Sequence, residues 1–335
     1  RALAVATTGE MVRREGLLPG AVLTRIASSH LRVGTFQFFS ARGDTDRLRR
    51  LVAYAIERHE PSAAAAENPT LAFLDGVVER QSALIAQWMN LGFIHGVMNT
   101  DNVTVSGETI DYGPCAFMDH YDPATVYSSI DHGGRYAYGN QPTIGLWNMA
   151  RLAEALLPLI DDDPERAVEL AMTSLDRYQG RYDAAWLAGM RAKLGLDDDG
   201  DDGDDRALAT DWIALLQADR VDMTTAFRRL ADTAAGDSTV LTDLFDGDVT
   251  EWLDRWNQRV GPDAGQRIRR VNPVYIPRNH LVEYALESAV QGDLLPFDEL
   301  LAAVIRPYDE RPGFERFEPP APDGFSAGHQ TFCGT

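Results

Sequence analysis

The chain has 335 residues and a formal net charge of −20, with 51 Asp and Glu against 31 Lys and Arg. That balance excludes a nucleic-acid partner, which needs clustered cations, and no run approaches the ~20 apolar residues of a membrane span. Apolar residues make up 44%, enough for the cores of roughly two units at ~150 residues each. Two cysteines suit a reducing compartment and argue against a disulfide framework.

All but one of the basic residues are Arg, the exception being Lys193. The N-terminus carries no charged-then-apolar leader pattern, and the chain is expected to be a cytoplasmic bacterial monomer.

In chain order, residues 1–43 hold Arg25 and Arg32 in the run TRIASSHLR. A helix is predicted over 44–60, with Asp44 and Thr45 as cap candidates and Leu48, Leu51, Val52, Ala55 and Ile56 along one face. Pro61 ends it. A second helix, from Pro69 to about Asn90, carries Leu71, Leu74, Val78, Leu84 and Trp88 and leads into the most informative stretch of the chain.

That stretch, 91–114, is LGFIHGVMNTDNVTVSGETIDYGP. His95 opens a loop, Asn102 follows seven residues later, and a hairpin turning at Ser106-Gly107 returns to Asp111 in an Asp-Tyr-Gly turn. Kinase-type centres use this layout because an amide oxygen and a carboxylate together chelate a divalent metal between phosphates. The kinase pattern would place a catalytic Asp two residues after the His. Val97 stands there and cannot accept a proton, but Asp101 supplies a carboxylate beside Asn102. His95 is expected to be structural.

Residues 119–143 have no period and are expected to form the substrate-facing part of an activation segment spanning 111–143. Tyr127, Ser128 and Ser129 there are candidate self-modification hydroxyls, and His120, Asp122 and His132 are read as surface polarity instead of a metal trio. From Ile144 helices dominate, at roughly 145–160, 163–180, 182–194, 206–219, 222–234, 238–258 and 279–291. The acidic run 197–205 lacks the Glu that a calcium loop needs at position twelve, where Leu208 stands, so a solvated linker is expected.

HGVMNTDN followed by TIDYGP resembles the selenoprotein O family, kinase-fold proteins that transfer AMP to other proteins. The run LPGAVLTRIASSHLRVGTFQFF ending at Phe39, GRYAYGNQPTIGLWNMARLAEAL (134–156), NPVYIPRNHLVEYAL (272–286) and the terminal Cys333-Gly334-Thr335 agree with it. The resemblance implies an α+β, protein-kinase-like fold, with the remainder of a small lobe in 1–43 and a large, mostly helical lobe in 44–335. It implies Asp101 as catalytic base, Asn102 and Asp111 as ligands of Mg²⁺ or Mn²⁺, and Arg25 and Arg32 on the phosphates of a flipped ATP. Protein Ser, Thr or Tyr hydroxyls would be the acceptors. A C-terminal redox tail (320–335) would carry Cys333, with Cys115 as its possible partner.

The family's phosphate-binding Lys and its paired Glu precede the segment that begins here. The chain is therefore expected to be a fragment of a longer protein, weakly active or inactive by itself. Ordinary gamma-phosphate transfer and a non-catalytic pseudokinase scaffold are the alternatives.

Overall fold

The computed structural model describes residues 2–13, 16–197 and 200–332. The apolar spacing at 44–60 forms helix α2 (Thr45–His59), which starts where the Asp44 carboxylate accepts from the Arg47 N–H at 3.1 Å. Leu48, Val52, Ala55 and Ile56 turn inward. Helix α3 (Pro69–Leu91) has Pro69 in its first turn and Asn68 as its cap, accepting from Leu71 N at 3.0 Å. It ends at Gly92, whose φ of 69° suits glycine and lets the chain turn directly into the loop expected to be catalytic.

Helix α3 is the spine of the molecule. Its first half puts Phe73, Leu74, Val77 and Val78 into a core shared with α1 (Val33–Ser40), α2, α4 (Gln141–Ile160) and α5 (Pro164–Leu175). Its second half puts Ile85, Trp88 and Met89 into another core. There they meet α6 (Arg177–Leu194), α7 (Asp202–Ala218), α8 (Met223–Ala234), α9 (Thr239–Thr242), α10 (Thr250–Asn257) and α11 (Ala264–Val271). A third, smaller cluster joins α12 (Asn279–Val290) to α13 (Leu295–Val304) through Ala285, Leu300 and Ala303 on Tyr275 and Phe317. A last short helix, α14, spans Phe325–Gly328.

Sheet is minor, and the architecture is α+β with mostly helical content. Strands β1 (Ala2–Arg13) and β2 (Leu17–Arg25) form an antiparallel hairpin in register Val5↔Leu23 and Val12↔Leu18. Strands β3 (Phe93–Ile94) and β4 (Ala116–Phe117) pair antiparallel across the ends of the 91–114 stretch. Among the described residues no helix is long and apolar enough to cross a membrane.

Several expectations change. Val33 and Phe36 are fully buried in the same core as α2 to α5, so α1, which was not expected as a helix, packs with the helices that follow it. The helix expected over 163–180 ends at Leu175, and α6 starts at Arg177 after the single residue Asp176. The one expected over 238–258 is two, α9 and α10, because the intervening Gly247 N–H is drawn to the Asp219 carboxylate at 2.8 Å. The hairpin expected over 103–110 is a tight turn with a single bridge, Val103↔Thr109, closed by Thr104 Oγ1 donating to Glu108 O at 3.0 Å.

The acidic run is not a linker throughout. Asp201 caps α7, which begins at Asp202. Asp205 is buried, its carboxylate receiving Arg191 Nε at 2.7 Å and Arg259 Nε at 3.0 Å. Two distant arginines remove the repulsion that would have kept this stretch extended. Asp198 and Asp199 lie outside the described residues.

Candidate active site

The loop after β3 is held by side-chain amides from two helices. On α4, Gln141 accepts from the His95 N–H at 3.0 Å and donates to Phe93 O at 2.9 Å, and two turns further along the same face Asn148 donates to Met98 O at 2.9 Å. Both amides are fully buried. On α3, Gln81 donates to Thr104 O at 2.6 Å and Trp88 Nε1 to Thr109 Oγ1 at 2.9 Å. A seven-residue spacing, two helical turns, puts each pair on one face of its helix. Gly96 has a φ of 83°, and a Cβ there would stand 2.7 Å from Pro114 O.

His95 ties the two ends of the stretch together, as expected of a structural residue. Its Nε2 lies 2.8 Å from Ile110 O, the carbonyl just before Asp111, so that nitrogen carries the proton. Burial lowers its pKa, outweighing the Ile110 contact and Asp111, and the ring is neutral.

The segment 31–34 lies directly on this loop. Val33 N donates to Val103 O at 3.0 Å, Gly34 N to Thr100 O at 2.8 Å, and Val105 N to Leu31 O at 3.0 Å. The Arg32 N–H donates to Thr35 Oγ1 at 3.1 Å as α1 begins. This delivers Arg32 to Asp111, where its Nη2 and Nε donate to Oδ2 at 3.0 and 3.2 Å. Arg25, at the end of β2, donates to Oδ1 of the same carboxylate. Burial works to raise the Asp111 pKa, but the hydrogen bonds from Arg25 and Arg32 outweigh it and hold the carboxyl below its ordinary value. Asp111 has a φ of 55°, a conformation that a non-glycine residue adopts at a cost.

Asn102 donates from Nδ2 to Val97 O at 3.1 Å, and its amide oxygen accepts from no described residue. Asp101 is exposed, and its carboxylate has no hydrogen-bond or ion-pair partner among the described residues. Val97 is buried in the core. One carboxylate and one amide oxygen are hard donors that suit Mg²⁺ or Mn²⁺ once phosphate oxygens join them. Among the described residues no three His, Cys, Asp or Glu gather as a metal cluster, so His120, Asp122 and His132 form none.

Lys193, the one lysine of the sequence, sits in the interior. It is buried on α6, donates to Asn272 Oδ1 at 2.7 Å and lies over the Phe227 ring. The Cys115 thiol donates to Tyr112 O at 3.3 Å, and burial pushes its pKa up to about 11. Cys333 lies outside the described residues, but the chain before it docks on the segment around 127. Thr331 N donates to Tyr127 O at 2.8 Å, Ser129 N to Thr331 O at 2.9 Å, and Thr331 Oγ1 to Pro114 O at 2.6 Å. Tyr127 and Ser128 are buried there, which withdraws them as self-modification sites in this conformation.

Sequence reasoning missed the amides on α3 and α4, and it missed an ion cluster behind the site. Arg278 is fully buried and donates to Asp119 at 2.6 Å and to Asp222 at 2.6 and 2.9 Å. It joins the end of β4, the cap of α8 and the start of α12. The signal in the sequence was an Arg directly after the apolar run PVYIP, at 273–277.

A family model described as protein adenylyltransferase SelO matches residues 1–305. Three protein nucleotidyltransferases named YdiU extend the match over this entire chain. The one from Cereibacter sphaeroides (strain ATCC 17029 / ATH 2.4.9) is 59% identical over 338 residues, and 70% of its length is covered. Those from Mycolicibacterium paratuberculosis and Rhizobium etli are 58% and 55% identical, each with 69% covered. The class is thus that of the nucleotidyltransferases that modify proteins. Within it, this chain belongs to the SelO family.

Proposed function

We propose that this protein transfers AMP from ATP to hydroxyl side chains of proteins in the cytoplasm, on a kinase-like scaffold whose small lobe includes the β1–β2 hairpin. The observation that supports this most is the convergence of Arg25 and Arg32 on Asp111, at the end of a loop that also presents Asp101 and Asn102. Cations fit for phosphate meet the carboxylate of Asp111, and Asn102 and the unpartnered Asp101 stand earlier in the same loop.

Asn102 and Asp111 would hold Mg²⁺ or Mn²⁺, which supplies charge neutralisation on the phosphates. Arg25 and Arg32 bind phosphate oxygens, a task that suits a planar, permanently charged fork. The acceptor oxygen bonds to the alpha-phosphorus as the bond to the bridging oxygen breaks, and pyrophosphate leaves. Asp101 accepts the hydroxyl proton or its hydrogen bond and aims the oxygen in line. Positioning and electrostatics carry most of the rate. Lys193, the one lysine of the sequence, is buried against Asn272, so Arg25 and Arg32 carry the phosphate charge in this reading.

Product analysis tests this reading. With ATP, Mg²⁺ and a protein acceptor, pyrophosphate should accumulate in step with acceptor mass gain, and Asp101→Asn should lose most of both. Release of ADP in place of pyrophosphate would make the protein a kinase, and no nucleotide turnover in a chain of its relatives' full length would make it a binding scaffold.

A further inference from the structure

Helices α12 and α13 form a hairpin that buries one side and leaves the other bare. Ala285, Leu300 and Ala303 face inward on Tyr275 and Phe317. On the outward side Leu286 and Val290 stand one turn apart on α12, and Leu294, Phe297, Leu301 and Ile305 follow at helical spacing along α13. Val290 is 82% and Ile305 66% exposed. Single exposed apolar side chains are ordinary, but a stripe of this length on a helix already apolar on its inner face marks an interaction surface.

The charges around the stripe say what covers it. From Asn279 to Ile305 the sequence contains no Lys or Arg and five carboxylates. Glu299 is taken by Arg316 at 2.8 Å. Glu283, Glu287, Asp293 and Asp298 have no ion-pair partner among the described residues. A second copy of the chain would bring the same carboxylates and another net charge of −20 against them. Anionic lipid and nucleic acid are repelled on the same ground.

We propose that the α12–α13 face docks a cationic amphipathic helix of a partner protein, its apolar side chains on the Leu294–Ile305 stripe and its Lys or Arg residues against Glu283, Glu287, Asp293 and Asp298. This is recognition of a helix by an apolar face with charge matching at its rim. The α12 end of this face adjoins the active-site side of the molecule, because Asn279 Nδ2 donates to Phe117 O of β4 at 3.0 Å. A partner held here is brought close to the substrate-facing segment. The inference concerns binding and stands whether or not AMP is transferred.

Two labelled helical peptides with the same leucine stripe, one flanked by lysines and one by glutamates, are titrated against the full chain by fluorescence anisotropy. The lysine-flanked peptide should bind saturably and weaken as salt rises, and the glutamate-flanked peptide should not bind. Leu301→Glu and Ile305→Glu should each weaken binding about tenfold or more. Asp298→Lys should do so several-fold, with the circular dichroism of all three variants unchanged. Failure of the lysine-flanked peptide to bind, equal binding of the two peptides, or indifference to Leu301→Glu overturns the proposal. A concentration-dependent dimer that Leu301→Glu dissolves also overturns it, in favour of a second copy. Binding by this chain but not by one of its relatives' full length overturns it in favour of a segment of the protein itself.

Discussion

Arg32 grips the carboxylate of Asp111 from 79 residues away, with Nη2 and Nε both on Oδ2 at 3.0 and 3.2 Å. The group expected to bind metal is thereby held by a group expected to bind phosphate. On the proposed roles the two ligands would arrive together, because phosphate would draw the arginines off the carboxylate offered to the metal. Metal binding without nucleotide is predicted to be weak, and Arg32→Ala should strengthen it while lowering turnover about a hundredfold or more. Mn²⁺ titration followed by electron paramagnetic resonance, with and without a non-hydrolysable ATP analogue, measures the coupling. Equal Mn²⁺ affinity in the wild type with and without nucleotide would refute it.

Gln141 and Asn148 should matter through the loop they hold. Replacing either by Ala leaves buried carbonyls at Phe93 or Met98 without a donor, at a cost of about 1–3 kcal/mol. Urea unfolding gives the stability change. At temperatures where the variants remain folded, turnover should still fall while the KM for ATP stays within about twofold.

The Arg278 cluster is predicted to be the most sensitive ionic site in the molecule. Arg278→Met strands Asp119 and Asp222 in the interior, and the expected loss is about 3–5 kcal/mol. An apolar replacement of all three groups should recover much of that loss. Thermal unfolding of the single and triple variants separates the pairing from the packing.

Lys193 gives stability a pH dependence of definite sign. Burial lowers its pKa from 10.5 to about 7, so between those values the unfolded chain holds a proton that the folded chain does not. Stability therefore rises with pH across that window, and the penalty is complete below its lower end. The shift is worth on the order of 5 kcal/mol, and losing the Asn272 contact offsets about 1–3 kcal/mol of the relief. Lys193→Met should be the more stable protein at pH 6–7 and should lack the wild-type rise toward pH 10. Parallel stability curves for the two proteins would contradict this.

Much of this was legible in the sequence where the signal is local. Asp44 and Pro69 announce α2 and α3, and the spacing His95, Asn102, Asp111 places the loop. Helix α1 was hidden because VGTFQFFS is rich in aromatic and β-branched residues and is fixed by its contacts with Thr100 and Val103, not by propensity. Helix α13 was hidden because it is apolar on both sides and shows no amphipathic period. Asp205 read as one more repelling charge because Arg191 and Arg259 reach it only in the folded chain. The Arg278 cluster spans 159 residues of sequence, and no window of periodicity could contain it.

The most direct test of AMP transfer uses ATP labelled on the alpha or the gamma phosphate, with metal, a protein acceptor and Asp111→Ala as control, in a chain of the relatives' full length. The account predicts alpha label on the acceptor, lost in the control, and no gamma label. Gamma label on the acceptor, or no label from either ATP, would contradict it.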